Sequence, residues 1–147
     1  MDDTAHTSSV SALFVGGFED ERRLAHEVFR EFGWRLFEAP DQCRAAQSLR
    51  RHPVQVVIAR SDMPDGSWRE MLDHLRGLAR PPLLVVTSRT ADEHLWAEVL
   101  NLGGYDVLAQ PLERDEMVRV IASACRHFGH QPHRASARED DLVGNVA

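Results

Sequence analysis

Five short apolar runs, each followed by a stretch of helical periodicity, constrain this chain more than any other feature. Val54 to Ala59 (VQVVIA) is the clearest strand, dense in the β-branched residues that suit a pleated, buried surface. Ser11 to Val15 is a second run, closed by Gly16-Gly17, and Trp34 to Ala39, Leu83 to Val86 and Asp106 to Ala109 complete the set. Leu36, with Trp34 beside it, is expected to face the core. Between them lie residues spaced for one face of a helix. Glu19 to Phe32 carries Leu24, Ala25, Val28, Phe29 and Phe32, and stops at Gly33. The helix opened by Pro40-Asp41 carries Cys43, Ala46 and Leu49, and a third runs from Ser67 to about Leu78. Ala91 to Leu102 presents Leu95, Val99 and Leu102, and Glu113 to Phe128 presents Met117, Val120, Ile121, Ala124 and Phe128.

Strands that are apolar throughout belong in a sheet covered on both faces, and alternation with helices makes that sheet parallel. Right-handed crossovers leave few ways to wind five such units. The expected fold class is α/β: a (βα)5 flavodoxin-like three-layer sandwich with a five-stranded parallel sheet in the order 2-1-3-4-5. In such a fold, function sits at the carboxyl ends of the strands. The loops to interrogate are 16–20, 60–67, 87–92 and 109–112.

Length allows one domain. Residues 1–9 (MDDTAHTSS) read as a flexible arm, 10–128 as the domain, and 129–147 as a polar, disordered tail with no second folding unit. The net charge of −6 argues against nucleic acid as a partner. No apolar stretch approaches the ~20 residues that span a bilayer. With no signal peptide, the expected location is the cytoplasm. Cys43 and Cys125 are expected to be reduced and buried, with no metal spacing between them. All 17 basic residues are arginine, which excludes lysine Schiff-base chemistry. His127, His130 and His133 cluster near the tail without a metal-site spacing. Walker, dinucleotide and Ser-His-Asp motifs are missing.

Three segments carry a resemblance. Met63-Pro64-Asp65-Gly66 follows the third strand, Thr87-Ser88 ends the fourth, and Gly103-Gly104-Tyr105-Asp106-Val107-Leu108-Ala109-Gln110-Pro111 frames the fifth. Together, over about Ser11 to Phe128, they resemble the receiver domain of bacterial response regulators in two-component phosphorelay signalling. The resemblance implies two carboxylates after strand one that hold Mg²⁺, an aspartate acceptor ending strand three, a strand-four hydroxyl and a strand-five lysine. Here those places hold Gly16 and Gly17, Arg60, Thr87 and Gln110, and only the hydroxyl survives. An arginine has no nucleophilic oxygen and repels Mg²⁺. The chain therefore reads as a degenerate receiver: not an enzyme, without a cofactor, acting through protein–protein contact. The aromatic switch residue on strand five is replaced by Val107.

Several alternatives stay open. Asp62 is a substitute acceptor in a shifted carboxylate set with Glu19 and Asp20, or it caps the loop while the other two start a helix. Arg60 pairs with Asp62, Glu19 or Asp65, or else points into solvent. The vacated pocket around Arg60, Thr87 and Gln110 suits an anion or small ligand. The implied partner or homodimer surface is the face of helix 4, strand 5 and helix 5. Trp96, Tyr105 and Val107 are its candidate residues, with Trp96 either flanking the core or anchoring a partner.

Overall fold

The computed structural model describes residues 10–128, so the arm 1–9 and the tail 129–147, with His130 and His133, lie outside the described residues. Five units follow one another: β1 (Ser11–Val15), α1 (Glu19–Phe32), β2 (Arg35–Ala39), α2 (Gln42–Arg51), β3 (Val56–Arg60), α3 (Trp68–Arg76), β4 (Leu83–Ser88), α4 (Glu93–Leu102), β5 (Asp106–Ala109) and α5 (Arg114–Phe128). All pairings within the five-stranded sheet are parallel, and its strand order is β2-β1-β3-β4-β5. The expected order and fold class are observed. A small antiparallel ribbon, Asp62–Met63 against Gly66–Ser67, decorates the loop after β3.

Alternation along each strand sorts the core into two layers. Leu13, Val15, Val57, Ala59, Leu84 and Val86 face α2, α3 and α4, meeting Leu49, Met71, Leu75 and Val99. Ala12, Phe14, Val56, Ile58, Val85 and Leu108 face α1 and α5, meeting Val28, Phe29, Met117 and Ile121. Trp34 and Leu36 lie half-buried against that second layer. The α5 stripe expected from the sequence is buried in full.

Three stripes differ from expectation. Cys43 is exposed, because α2 turns Ala45 and Leu49 inward and leaves Cys43 in its first turn facing out. Phe32 and Leu102, the last residues of α1 and α4, are exposed at 41% and 40%. Each helix outruns the sheet there, and Phe32 stacks on Trp34 at 4.8 Å instead of entering the core. Cys125 is buried as expected, and that burial pushes its thiol up to about 12, so it stays protonated at neutral pH.

Leu84→Ala is expected to cost about 3 kcal/mol, since the side chain is 1% exposed in a filled layer. Leu102→Ser is expected to cost less than about 1 kcal/mol. Urea midpoints for the two variants check both.

Candidate functional site

Four strand ends build the candidate site. Arg60 stands opposite Thr87 across the β3–β4 ladder, and the Ser61 N–H donates to the Thr87 carbonyl at 2.8 Å. The Gln110 N–H donates to the Ser88 carbonyl at 2.9 Å, and the Gly16 N–H to the Ala39 carbonyl at 2.8 Å. These ladder extensions bring Gly16, Gly17, Arg60, Thr87 and Gln110 to one edge, as the sequence predicts.

The two glycines are packed against and are not gaps. Gly16 has φ +71°, and a Cβ there would lie 3.1 Å from Met63 Cγ and 3.4 Å from Arg60 Nε. A Cβ on Gly17 would lie 2.8 Å from the ring of Phe14, itself 1% exposed. Substitution at 16 meets backbone strain, and substitution at 17 meets an immobile aromatic ring.

Arg60 adopts neither of the arrangements expected for it. It is half-buried, and its guanidinium carbon sits 4.4 Å from the centroid of the Phe18 ring, with Arg89 over the same ring at 5.3 Å. Of the carboxylates expected as its partners, Glu19 and Asp65 are engaged elsewhere, and Asp62 lines the same cleft as Arg60 without an ion pair to it. Glu19 pairs with Arg23 at 3.3 Å. Asp65 accepts the N–H groups of Gln42 and Cys43, each at 3.1 Å, and so caps α2 from across the loop. Those amides, Gln42 foremost, hold the Asp65 carboxyl below the usual carboxylate range. Arg60 Nε and Thr87 Oγ1 are both buried without a hydrogen-bond partner among the described residues. An unsatisfied buried polar group costs about 1–3 kcal/mol, so both atoms favour a hydrogen-bonding partner.

Glu21 was not singled out from the sequence. It is 5% exposed, accepts the Phe18 N–H at 3.0 Å through Oε1, and receives the Gln110 side-chain amide on Oε2. The signal that finds it is a glutamate three residues into a helix, reaching back to the first unpaired amide. Phe18 holds the cap position where a Ser, Thr, Asp or Asn would announce it, and this hid the signal. Asp20 lies in the first turn of α1, and Asp62 is exposed at the start of the small ribbon. These carboxylates do not converge: among the described residues no three His, Cys, Asp or Glu side chains gather as a metal site.

Two clefts open on this edge and share Phe18 and Arg60. One, of about 230 Å³, is lined by Thr87, Ser88, Arg89, Thr90, Gln110 and Asp62 as well. The other, of about 540 Å³, runs over Gly16 and Gly17 to Arg22, Glu38 and Pro40. Glu38 is held by His26 at 2.6 Å and by Arg22 at 3.9 Å.

The three partner candidates separate. Trp96 is 49% exposed, its indole N–H donating to Asp106 at 3.2 Å, so it stands outside the core. Tyr105 is half-buried, with its hydroxyl bonded to Ser123 and, at 3.0 Å, to His127 Nδ1, which ties it to α5. Val107 is buried, 8% exposed, against the α2–α4 side of the sheet. Strand alternation points it inward.

No family model matches the chain. Residues over 64% of it are 30% identical to the transcriptional regulatory protein KdpE of Mycobacterium tuberculosis, covering 41% of that protein. Over 90% of it the identity is 32% to the uncharacterized transcriptional regulatory protein YrkP of Bacillus subtilis, covering 56% of that protein. The chain thus spans about half the length of the curated relatives it matches. The signal receiver domain of an HD domain-containing protein from Pseudomonas fluorescens superposes with a TM-score of 0.73 at 20% identity, over 82% of this chain and 98% of that one. The described residues have the flavodoxin-like fold of receiver domains.

Gly17→Asp is expected to destabilise the chain by about 2 kcal/mol, through collision with Phe14. Arg60→Ala is expected to cost about 1 kcal/mol, and that cost to vanish in a Phe18→Ala background. Urea titrations of the single and double variants check both values.

Proposed function

We propose that this receiver-type domain acts in two-component signalling without accepting a phosphoryl group, and works by presenting a fixed surface to a protein partner or second copy. The observation that carries the reading is Arg60, stacked on Phe18 at 4.4 Å at the end of β3, where the resembled family has its acceptor carboxylate. The rest of the edge supports it. A divalent cation would need hard oxygen ligands beside that position. Gly16 and Gly17 offer no side-chain oxygen, Glu21 is occupied by Gln110 and Phe18, and Arg60 places a positive charge there. The residues present do not fit a bound Mg²⁺.

A module of this kind has no catalytic residue and works by contact. Trp96 on α4 is the exposed aromatic of the α4–β5–α5 face and the best anchor for a partner. Its indole is fixed by Asp106, which lowers the entropy lost on docking. No helix among the described residues is long and apolar enough to cross a membrane, which fits the proposed cytoplasmic setting.

Incubation of the full chain with acetyl phosphate and Mg²⁺ is expected to give no phosphoryl adduct by intact mass. An adduct lost in Asp62→Asn would replace this reading with an acceptor at Asp62. Trp96→Ala is expected to weaken the complex recovered by the tagged chain from its host at least about tenfold. Its stability should change by less than about 0.5 kcal/mol, measured by urea unfolding.

A further inference from the structure

The strand-end edge gathers positive charge that the fold does not neutralise. Arg22, Arg23, Arg69, Arg76, Arg114 and Arg119 are each within ion-pair reach of a carboxylate. Arg60 and Arg89 are two of the described arginines that have no ion pair, and they alone lie together over one ring, that of Phe18, at 4.4 and 5.3 Å. Two like charges near one ring repel each other, and an anion beside them offsets that repulsion. The smaller cleft next to them is also lined by Thr87, Ser88, Thr90 and Gln110; the Ser88 and Thr90 hydroxyls bond each other at 3.3 Å and Gln110 donates its side-chain amide to Glu21. Thr87 is 0% exposed and its hydroxyl has no partner, and Arg60 Nε is in the same condition.

From these observations we propose that the edge is a binding site for a small diffusible organic phosphate, held non-covalently. The phosphate group lies in the 230 Å³ cleft between Arg60 and Arg89, with Thr87 Oγ1 donating to one of its oxygens. A guanidinium suits this role because its planar fork matches two phosphate oxygens at once. The organic part of the ligand extends past Arg60 into the 540 Å³ cleft floored by Gly16 and Gly17, which is too large for a bare ion and within the size range of small-molecule sites. Its lining residues Arg22 and Glu38 hold each other at 3.9 Å and can meet polar groups on the ligand.

The acids near the site do not cancel this. Glu21 is taken up by the Phe18 N–H and the Gln110 amide, and Glu38 by His26 and Arg22. Asp62 is the one carboxylate lining the smaller cleft, against two arginines. Phe18 and Arg60 line both clefts, and Thr87 lines the smaller one. The proposal is independent of the labelling result above, because it concerns reversible binding and not covalent transfer.

The test is the melting temperature of the full chain in 10 mM ribose 5-phosphate, inorganic phosphate or ribose, each against sodium chloride at matched ionic strength. Ribose 5-phosphate is expected to raise it by about 4 °C, inorganic phosphate by less than half as much, and ribose not at all. Arg60→Gln and Arg89→Gln, each measured from its own unliganded melting point, are expected to lose most of the shift. Arg80→Gln should keep it, because Arg80 lies over Phe128, away from both clefts. Amide resonances of Gly16, Gly17, Thr87 and Gln110 should move on titration in a ¹H–¹⁵N spectrum. A response to ribose 5-phosphate no greater than to chloride overturns the site. A shift that survives both arginine substitutions does the same. Equal shifts from inorganic phosphate and ribose 5-phosphate overturn the part assigned to the larger cleft.

Discussion

Burial of the central strands on both faces is the constraint on which the rest of the molecule depends. β1, β3 and β4 have helices above and below, so nearly every side chain along them must be apolar. Along β3 and β4 polar side chains appear only at the carboxyl ends, at Arg60 and at Thr87-Ser88, and Gln110 follows directly on β5. The parallel arrangement collects these exits at one edge, because every crossover helix returns the chain to start the next strand at the opposite edge. Chemistry and recognition are thereby confined to four loops, whatever residues those loops carry.

The same logic explains which parts were legible in the sequence. Strand boundaries at Ser11–Val15 and Asp106–Ala109, and the helix Glu19–Phe32, could be read because glycines and a sharp change of periodicity mark them. The inward stripe of α5 could be read because fifteen residues give its period room to declare itself. The stripe of α2 could not. Its apolar residues are short, and Cys43, Ala45 and Ala46 differ too little in hydrophobicity to say which faces in. Phe32 and Leu102 continue the period of their helices past the point where the sheet can cover them. Periodicity reports a face, not the length of its cover.

At the site, the positions of Gly16, Gly17, Arg60, Thr87 and Gln110 were legible, because register follows from strand order. Their contacts were not. The guanidinium of Arg60 was expected to seek a carboxylate or water, and it lies on Phe18 instead. Phe18 is an unusual helix cap, and Arg89 sits two residues beyond Thr87 in a loop with no motif of its own. Nothing in linear order tells which of several loops will meet over one ring. Asp65 shows the reverse case: it belongs to the most recognisable loop of the chain, yet its carboxylate serves the first turn of α2.

The replacements at this edge form one coupled set. A guanidinium at the end of β3 beside two carboxylates after β1 would make a buried ion cluster that nothing else in the loop could balance. With glycines there, the Arg60 side chain passes close to Gly16 and reaches the Phe18 ring, at 3.4 Å from where a Cβ would stand. Gln110, uncharged, then donates to Glu21, where a cationic side chain on β5 would add a third positive charge to Arg60 and Arg89. Glu21 in turn fixes the Phe18 amide, and so holds the ring that the two arginines share. Each residue makes sense only with the others in place. Returning one position to the acidic or basic residue of the resembled family therefore disturbs this arrangement without rebuilding the other one.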